Sequence, residues 1–469
     1  MSASLVFDLT MASRMREAQA SDRLGCDTST LNRNSPSGAF RDTSRPPDYE
    51  SYIRKNESWN FAVNLLDLTF YNLALSFIFG STVLSLYASY LTSSATLIGL
   101  IPAIQGIGFS LPQLLMARRA ARAPRKKPLL LKISVMERLP YLFVALGIFL
   151  WPEAPPGLSF GVLALSLAMA TGSGGLGAPA WQSMLAKVIP VERRGLLFGL
   201  SSTTGGALGI AGAVLSRHVL AEYLYPTSFG ICFFLCFVSQ AISWICLSLN
   251  REPAREADKD VPSAREYWRR LPSVLRGHPN FARYLAGRTL IVMGGMGTAF
   301  YVLYARQAFG ITDAFAANLT MAALLGGIVS SPLLGWFADR RGHKWLTELS
   351  TLLNTACVLF VLYAPNTMML YPAFMLVNAS QAGMFVASTS IIMEFSDADD
   401  IPTFSALSGT IMAAPVLLAP ILGGWLVDVA GYQALLIAAL IFSGLGWAFM
   451  HWGVREPRHE REARSIVQV

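Results

Sequence analysis

Twelve separate stretches of this chain are each long and apolar enough to cross a membrane, and that recurrence decides most of what the chain can fold into. A hydrocarbon core about 30 Å thick needs roughly 20 residues of helix. Inside it every backbone N–H and C=O must find a partner within the chain, which leaves helices as the spanning form for segments of this length. The stretches run from 59 to 89, 94 to 117, 129 to 150, 158 to 188, 192 to 218 and 223 to 249, then from 284 to 308, 313 to 337, 345 to 364, 367 to 393, 401 to 427 and 432 to 453. With 53% of 469 residues hydrophobic and 14% charged, a soluble globule is excluded. The expected class is all-α, a polytopic membrane protein with 12 transmembrane helices.

The connections set an orientation, because Lys and Arg gather on the cytoplasmic side of membrane proteins. The second connection carries Arg118, Arg119, Arg122, Arg125, Lys126 and Lys127, the fourth Arg193 and Arg194, and the eighth Arg340, Arg341 and Lys344. Arg455, Arg458, Arg461 and Arg464 follow the last span, whereas only Arg217 and Arg306 stand near the opposite connections. Both termini are therefore expected in the cytoplasm, with the chain in a cell (plasma or inner) membrane. The tenth connection breaks the rule, with Glu394, Asp397, Asp399 and Asp400 and no basic residue. The net charge of +8 is distributed among connections rather than gathered on one face, which argues against nucleic acid as a partner. Cys232, Cys236, Cys246 and Cys357 lie inside apolar runs and are read as packing residues.

Residues 1–57 are polar, contain no apolar core of signal-peptide length and read as a disordered cytoplasmic tail. Residues 454–469 read as a second tail. The charged segment 250–283 divides the spans six and six, so it is taken as a cytoplasmic linker between bundles at 58–249 and 284–453. Within it, Pro262 to Leu275 has the pattern of an amphipathic helix on a membrane surface. The halves echo each other: Asn60-Phe61-Ala62 recurs as Asn280-Phe281-Ala282, and Pro112 as Pro332, both 220 positions apart. Duplication into two pseudo-symmetric six-helix bundles is the simplest account.

Gly335-Trp336-Phe337-Ala338-Asp339-Arg340-Arg341-Gly342-His343-Lys344 resembles the Gly-x-x-x-Asp-Arg-x-Gly-Arg/Lys-Arg/Lys signature of the major facilitator superfamily, in the copy between spans eight and nine. Pro415, Pro420, Gly423-Gly424-Trp425 and Asp428 look like that family's eleventh span, and Arg194-Gly195 like its fourth connection. The first copy of the signature is degenerate, with Leu115 for its Gly and Arg119 for its Asp. The fourth span lacks the Arg associated with proton-coupled members, and the fifth lacks the Pro of the drug-antiporter signature. The resemblance implies a secondary transporter moving a small solute by alternating access. Its alternatives are export of lipophilic drugs or lipids, and a transport-inactive receptor or scaffold.

Intramembrane charges are expensive and therefore functional candidates. Asp67 shares a helical stripe with Asn60, Asn64 and Tyr71, and Glu137 and Arg138 stand at similar depth in the third span. An Asp67–Arg138 pair with Glu137 competing is the expected coupling site, with H+ or Na+ as the ion, or equally a pair that fixes helix register. The resemblance implies a cavity lined by spans one, four, seven and ten, with Asn64, Tyr71, Ser76, Ser173, Met293, Asn378 and Gln381 as candidates. Arg288 is expected to snorkel to the interface, and Gln105, Gln113 and Asn354 to bond neighbouring helices. The glycines at 172, 174, 175 and 177 are expected to serve helix packing. By the resemblance, Asp339 with Gly335, Arg340, Gly342 and Lys344 holds the cytoplasmic gate against the fifth span. Arg118, Arg119 and Arg122 are expected to meet Glu394, Asp397, Asp399 and Asp400 there. No phosphate-binding loop or zinc cluster occurs, so no cofactor, no metal and no enzymatic activity are expected. The expected partners are the lipid bilayer and the solute, and the chain is expected to act as a monomer.

Overall fold

Residues 47–254, 273–396 and 401–457 are described in the computed structural model. The expected surface helix at 262–275 lies mostly outside them, and Asp397, Asp399 and Asp400 wholly so. Ten of the described helices are individually long and apolar enough to span a membrane. Two features bring the crossings among the described residues to twelve. Helix α1 (Pro47–Phe77) continues through a π-helical turn at Gly80–Leu84 into Ser85–Leu91. It is followed by α2 (Ala95–Arg122), α3 (Lys127–Leu150), α4 (Pro156–Val188), α5 (Val191–Glu222) and α6 (Thr227–Ser248). Helix α7 is interrupted, running Pro279–Gly294 and then Tyr301–Phe309. Then come α8 (Asp313–Arg341), α9 (His343–Leu362) and α10 (Leu370–Phe395). The run Ile401–Gly453 is two helices, α11 (401–430) and α12 (432–453), because Gly431 holds φ 82°, a conformation open to glycine.

Helix α1 includes residues 47–57, the end of the segment that the sequence assigns to a tail, and residues 1–46 lie outside the described residues. Hydropathy reports only the part of a helix that sits in hydrocarbon, and the polar first turns of α1 are held by other contacts. Glu57 pairs with Arg193 at 2.7 Å, and the Asn56 amide oxygen accepts from Arg251 Nη1 at 2.9 Å. Leu165, Val329 and Ile441 are more than half exposed, among many large apolar side chains on the surface, as suits a protein solvated by lipid.

The repeated Asn motif has a structural cause. Asn60 Nδ2 donates to the Arg251 carbonyl and its Oδ1 accepts from the Arg251 amide. Asn280 does the same to Arg455. Each half thus ties its first helix to the chain leaving its sixth, and the tripeptide Arg-Glu-Pro recurs there at 251–253 and 455–457. Glu252 caps α3, accepting from the backbone N–H groups of Lys126 and Lys127, and pairs with buried Lys187 at 3.0 Å. Its counterpart Glu456 packs against Gly342, the residue before α9, whose φ is 94° and where a Cβ would stand 2.7 Å from Glu456 Oε1. Backbone of this kind is essentially confined to glycine, at about 1–3 kcal/mol for other residues. Gly342→Ala is therefore expected to lower the melting temperature of the purified protein, and an unchanged melt would contradict this account of the joint.

Helix α2 packs on α4, α3 on α4 and α6, α8 on α10, and α9 on α10 and α12. Between the halves, α2 lies along α11 and α5 along α8. Both seams depend on glycine: a Cβ at Gly424 would come within 2.7 Å of Thr96 Cα, and one at Gly209 within 3.3 Å of Leu324.

Candidate functional site

The charged residues of α1 and α3 meet, but through an intermediary. Arg138 is 5% exposed and Asp67 4%, so each must find partners inside the bundle. Glu137 takes the direct ion pair with Arg138, at 3.0 Å. Asp67 instead accepts from the Ser243 hydroxyl of α6 at 2.6 Å, and that hydroxyl accepts from Arg138 Nη2 at 3.2 Å. Arg138 completes its shell on the carbonyls of Gln240 and Ser134, and Tyr71 donates to Glu137 Oε1 at 3.2 Å. The result is one polar chain, Tyr71–Glu137–Arg138–Ser243–Asp67, across α1, α3 and α6. With both carboxylates ionised its formal charge is −1, so uptake of one proton brings it to zero. The expected direct Asp67–Arg138 bond is replaced because a serine hydroxyl can donate to one partner and accept from the other. Gly174 of α4 lies against this chain, since a Cβ there would stand 3.1 Å from Glu137 Oε1. Gly175 and Gly177 pack on α2 and α3 as expected.

The cavity candidates separate. Asn64 is fully buried and donates to Asn60 O and Asn250 Oδ1, and Ser76 is 1% exposed and donates to Leu73 O. Both are consumed within the N-terminal bundle and line no cavity. Asn378 uses an N–H on the Ala323 carbonyl of α8. Tyr71, Ser173 and Met293 are half-buried and Gln381 is exposed, so these retain accessible surface. Asn72, unremarked in the sequence, is exposed in mid-α1. Asn354 bonds Gly294 O and Ser443 Oγ, the helix-bonding role expected of it. Arg288 does not snorkel. Its Nη1 donates inward to Ser408 Oγ of α11 at 3.2 Å, since that face of α7 is turned to α11 and not to the interface.

The halves are latched at the end remote from the chain termini. Tyr90 of α1 donates to both carboxylate oxygens of Asp313 at 3.0 and 2.8 Å and accepts from Arg306 Nη2 at 2.7 Å. Thr82 and Thr320 hydroxyls bond across the same seam. Asp428, at the end of α11, accepts from the backbone N–H groups of Ala95 and Thr96 and from the Ser94 and Thr96 hydroxyls. A carboxylate of one half thus caps the first turn of α2 in the other, where free N–H groups and the helix dipole favour negative charge. At the opposite end, a Cβ on Gly195 or Gly335 would meet nothing within 4 Å, and Arg119 and Asp339 are exposed. Glu394 bonds His343 of its own half at 2.7 Å.

The family model described as Major Facilitator Superfamily matches residues 65–306 and 286–468. An uncharacterised protein of Mycobacterium tuberculosis is 28% identical over 229 residues, 45% of this chain and 42% of that protein. The mouse MFS-type transporter SLC18B1 is 23% identical over 312 residues, 62% of this chain and 66% of its own length. This chain thus spans less than two thirds of either relative. A crystal structure of the nucleoside transporter NupG, in a D323A mutant, superposes with a TM-score of 0.64 at 12% identity, covering 84% of this chain and 98% of that one. Twelve helices in two halves, the signature before α9 and a family model matching most of the sequence lead to one conclusion: the chain belongs to the major facilitator superfamily.

Proposed function

We propose that this member of the family moves a small solute by alternating access, the two bundles rocking about the α2–α11 and α5–α8 seams. The supporting observation is an asymmetry of contact. Charged and hydroxyl bonds cross between the halves at the far end, while Gly195 and Gly335 stand in open space at the terminal end. With the arginine-rich connections in the cytoplasm, this is an inward-open conformation of a multi-pass protein of the plasma or inner membrane. In the outward-open conformation, Asp339 moves against the start of α5, and Arg118, Arg119 and Arg122 meet the acidic tenth connection.

The Asp67–Glu137–Arg138 chain is the coupling site, taking up a proton, or Na+, on one of its two carboxylates. A solute found by its stabilisation of the purified protein then tests this in liposomes. Asp67→Asn keeps an acceptor for Ser243 but cannot change charge, so it is expected to fold and to lose gradient-driven accumulation about tenfold, roughly 1.4 kcal/mol. Full accumulation by a folded Asp67→Asn protein would remove Asp67 from coupling.

A further inference from the structure

Two arginines of the described helices, Arg138 and Arg288, have opposite accounts. Arg138 is well partnered: Nε, Nη1 and Nη2 make four hydrogen bonds, one of them to a carboxylate. Arg288 lies nine residues into α7, about 14 Å of helix rise from its start, and its hydrogen-bonded acceptor among the described residues is a neutral hydroxyl, Ser408 Oγ. Its Nε is buried with no acceptor. The guanidinium lies within interaction distance of the Tyr284 hydroxyl, one turn earlier, a buried hydroxyl that makes no hydrogen bond of good geometry. Tyr284 is fully buried while Arg288 keeps part of its surface accessible. A cation inside a bundle, with an unused donor and no carboxylate paired to it among the described residues, is costly. A ligand oxyanion relieves that cost.

We propose that Arg288, with Tyr284 and Ser408, binds an anionic group of the solute, a carboxylate or a phosphate. The planar guanidinium fork fits either one in bidentate fashion. Tyr284 and Ser408 each supply a hydroxyl at its flank, and the cation in the C-terminal half complements the formally negative chain in the N-terminal half. This inference rests on the transporter reading and names the class of solute for it.

The test uses the full chain in lipid nanodiscs with matched probes: benzoate against benzamide, and phenyl phosphate against benzyl alcohol. Binding is read by calorimetry, and the reaction of each arginine with phenylglyoxal by peptide mass spectrometry. At least one anion is expected to bind the wild type and to slow modification of Arg288, while its neutral counterpart does neither. Arg138, already paired with a carboxylate, serves as the internal control and is expected to react at the same rate with and without probe. R288Q is expected to weaken the anion about tenfold or more, and R288K less because it keeps the charge without the fork. Whichever anion binds separates the carboxylate from the phosphate source. Failure of both anions to bind, equal binding and protection by the neutral counterparts, or unchanged affinity in R288Q would each overturn the proposal. If R288Q does not fold, the labelling of the wild type decides alone. Flux of a neutral solute that leaves Arg288 unprotected would overturn the anion site and leave the transporter intact. Anion binding at Arg288 without any flux would support the site and count against transport.

Discussion

Glu252→Ala is expected to destabilise the protein by about 3–5 kcal/mol, the usual consequence of removing one member of a buried ion pair. Lys187 and Glu252 side chains are 7% and 1% exposed, so the lysine left behind has no water to turn to. Its Nζ keeps the Pro124 carbonyl but loses its counter-charge. The same substitution uncaps α3, freeing the N–H groups of Lys126 and Lys127. Because α3 carries Glu137 and Arg138, the polar chain at mid-depth is expected to loosen with it. Glu252→Gln keeps an acceptor for α3 and should lose less. Thermal unfolding of the three proteins in one detergent checks the order, and a Glu252→Ala protein as stable as wild type would contradict the pairing.

Asp428→Ala is expected to leave the fold intact and to shift the balance between conformations. Asp428 is exposed at the end of α11, so its four bonds to the start of α2 resemble an N-cap on the surface, where loss of the side chain costs about 1–2 kcal/mol. That cost falls only on the conformation in which α11 and α2 touch. A change of this size alters a two-state ratio by about 5- to 30-fold. The variant should therefore populate the outward-open state more and change flux while melting near the wild-type temperature. A variant with unchanged flux and unchanged conformational ratio would show that the cap holds nothing.

Twelve crossings were legible because hydropathy is a local property, and the positions of Gly335 to Lys344 and of Asp67 followed from it. The duplication was legible in Asn60 and Asn280, but its meaning was not, since each side chain bonds backbone about 190 or 175 residues away. The recurrence of Arg-Glu-Pro after the sixth and twelfth helices is a signal in the sequence that identifies that partner. Ser243 had no such signal: it is one of several hydroxyls in an apolar helix, 176 residues from Asp67, and only packing brings it there. Asn64 and Ser76 look like cavity residues in sequence and are lost to Asn250, just beyond α6, and to their own helix, because periodicity assigns a face without saying what covers it. Arg288 was misjudged for the converse reason. Depth alone suggested the interface, whereas the side chain's direction was set by α11.

Alternating access requires the far-end latch to open while the terminal end closes. Double electron–electron resonance between spin labels at Ser93 and Gln307, both exposed at the far end, tests it most directly. Cys26 is replaced for this purpose, and the other four cysteines are buried. The expected result is two distance populations in lipid, with the longer one enriched in Asp428→Ala. A single short distance, unchanged by that substitution and by solute, would contradict alternating access in this protein.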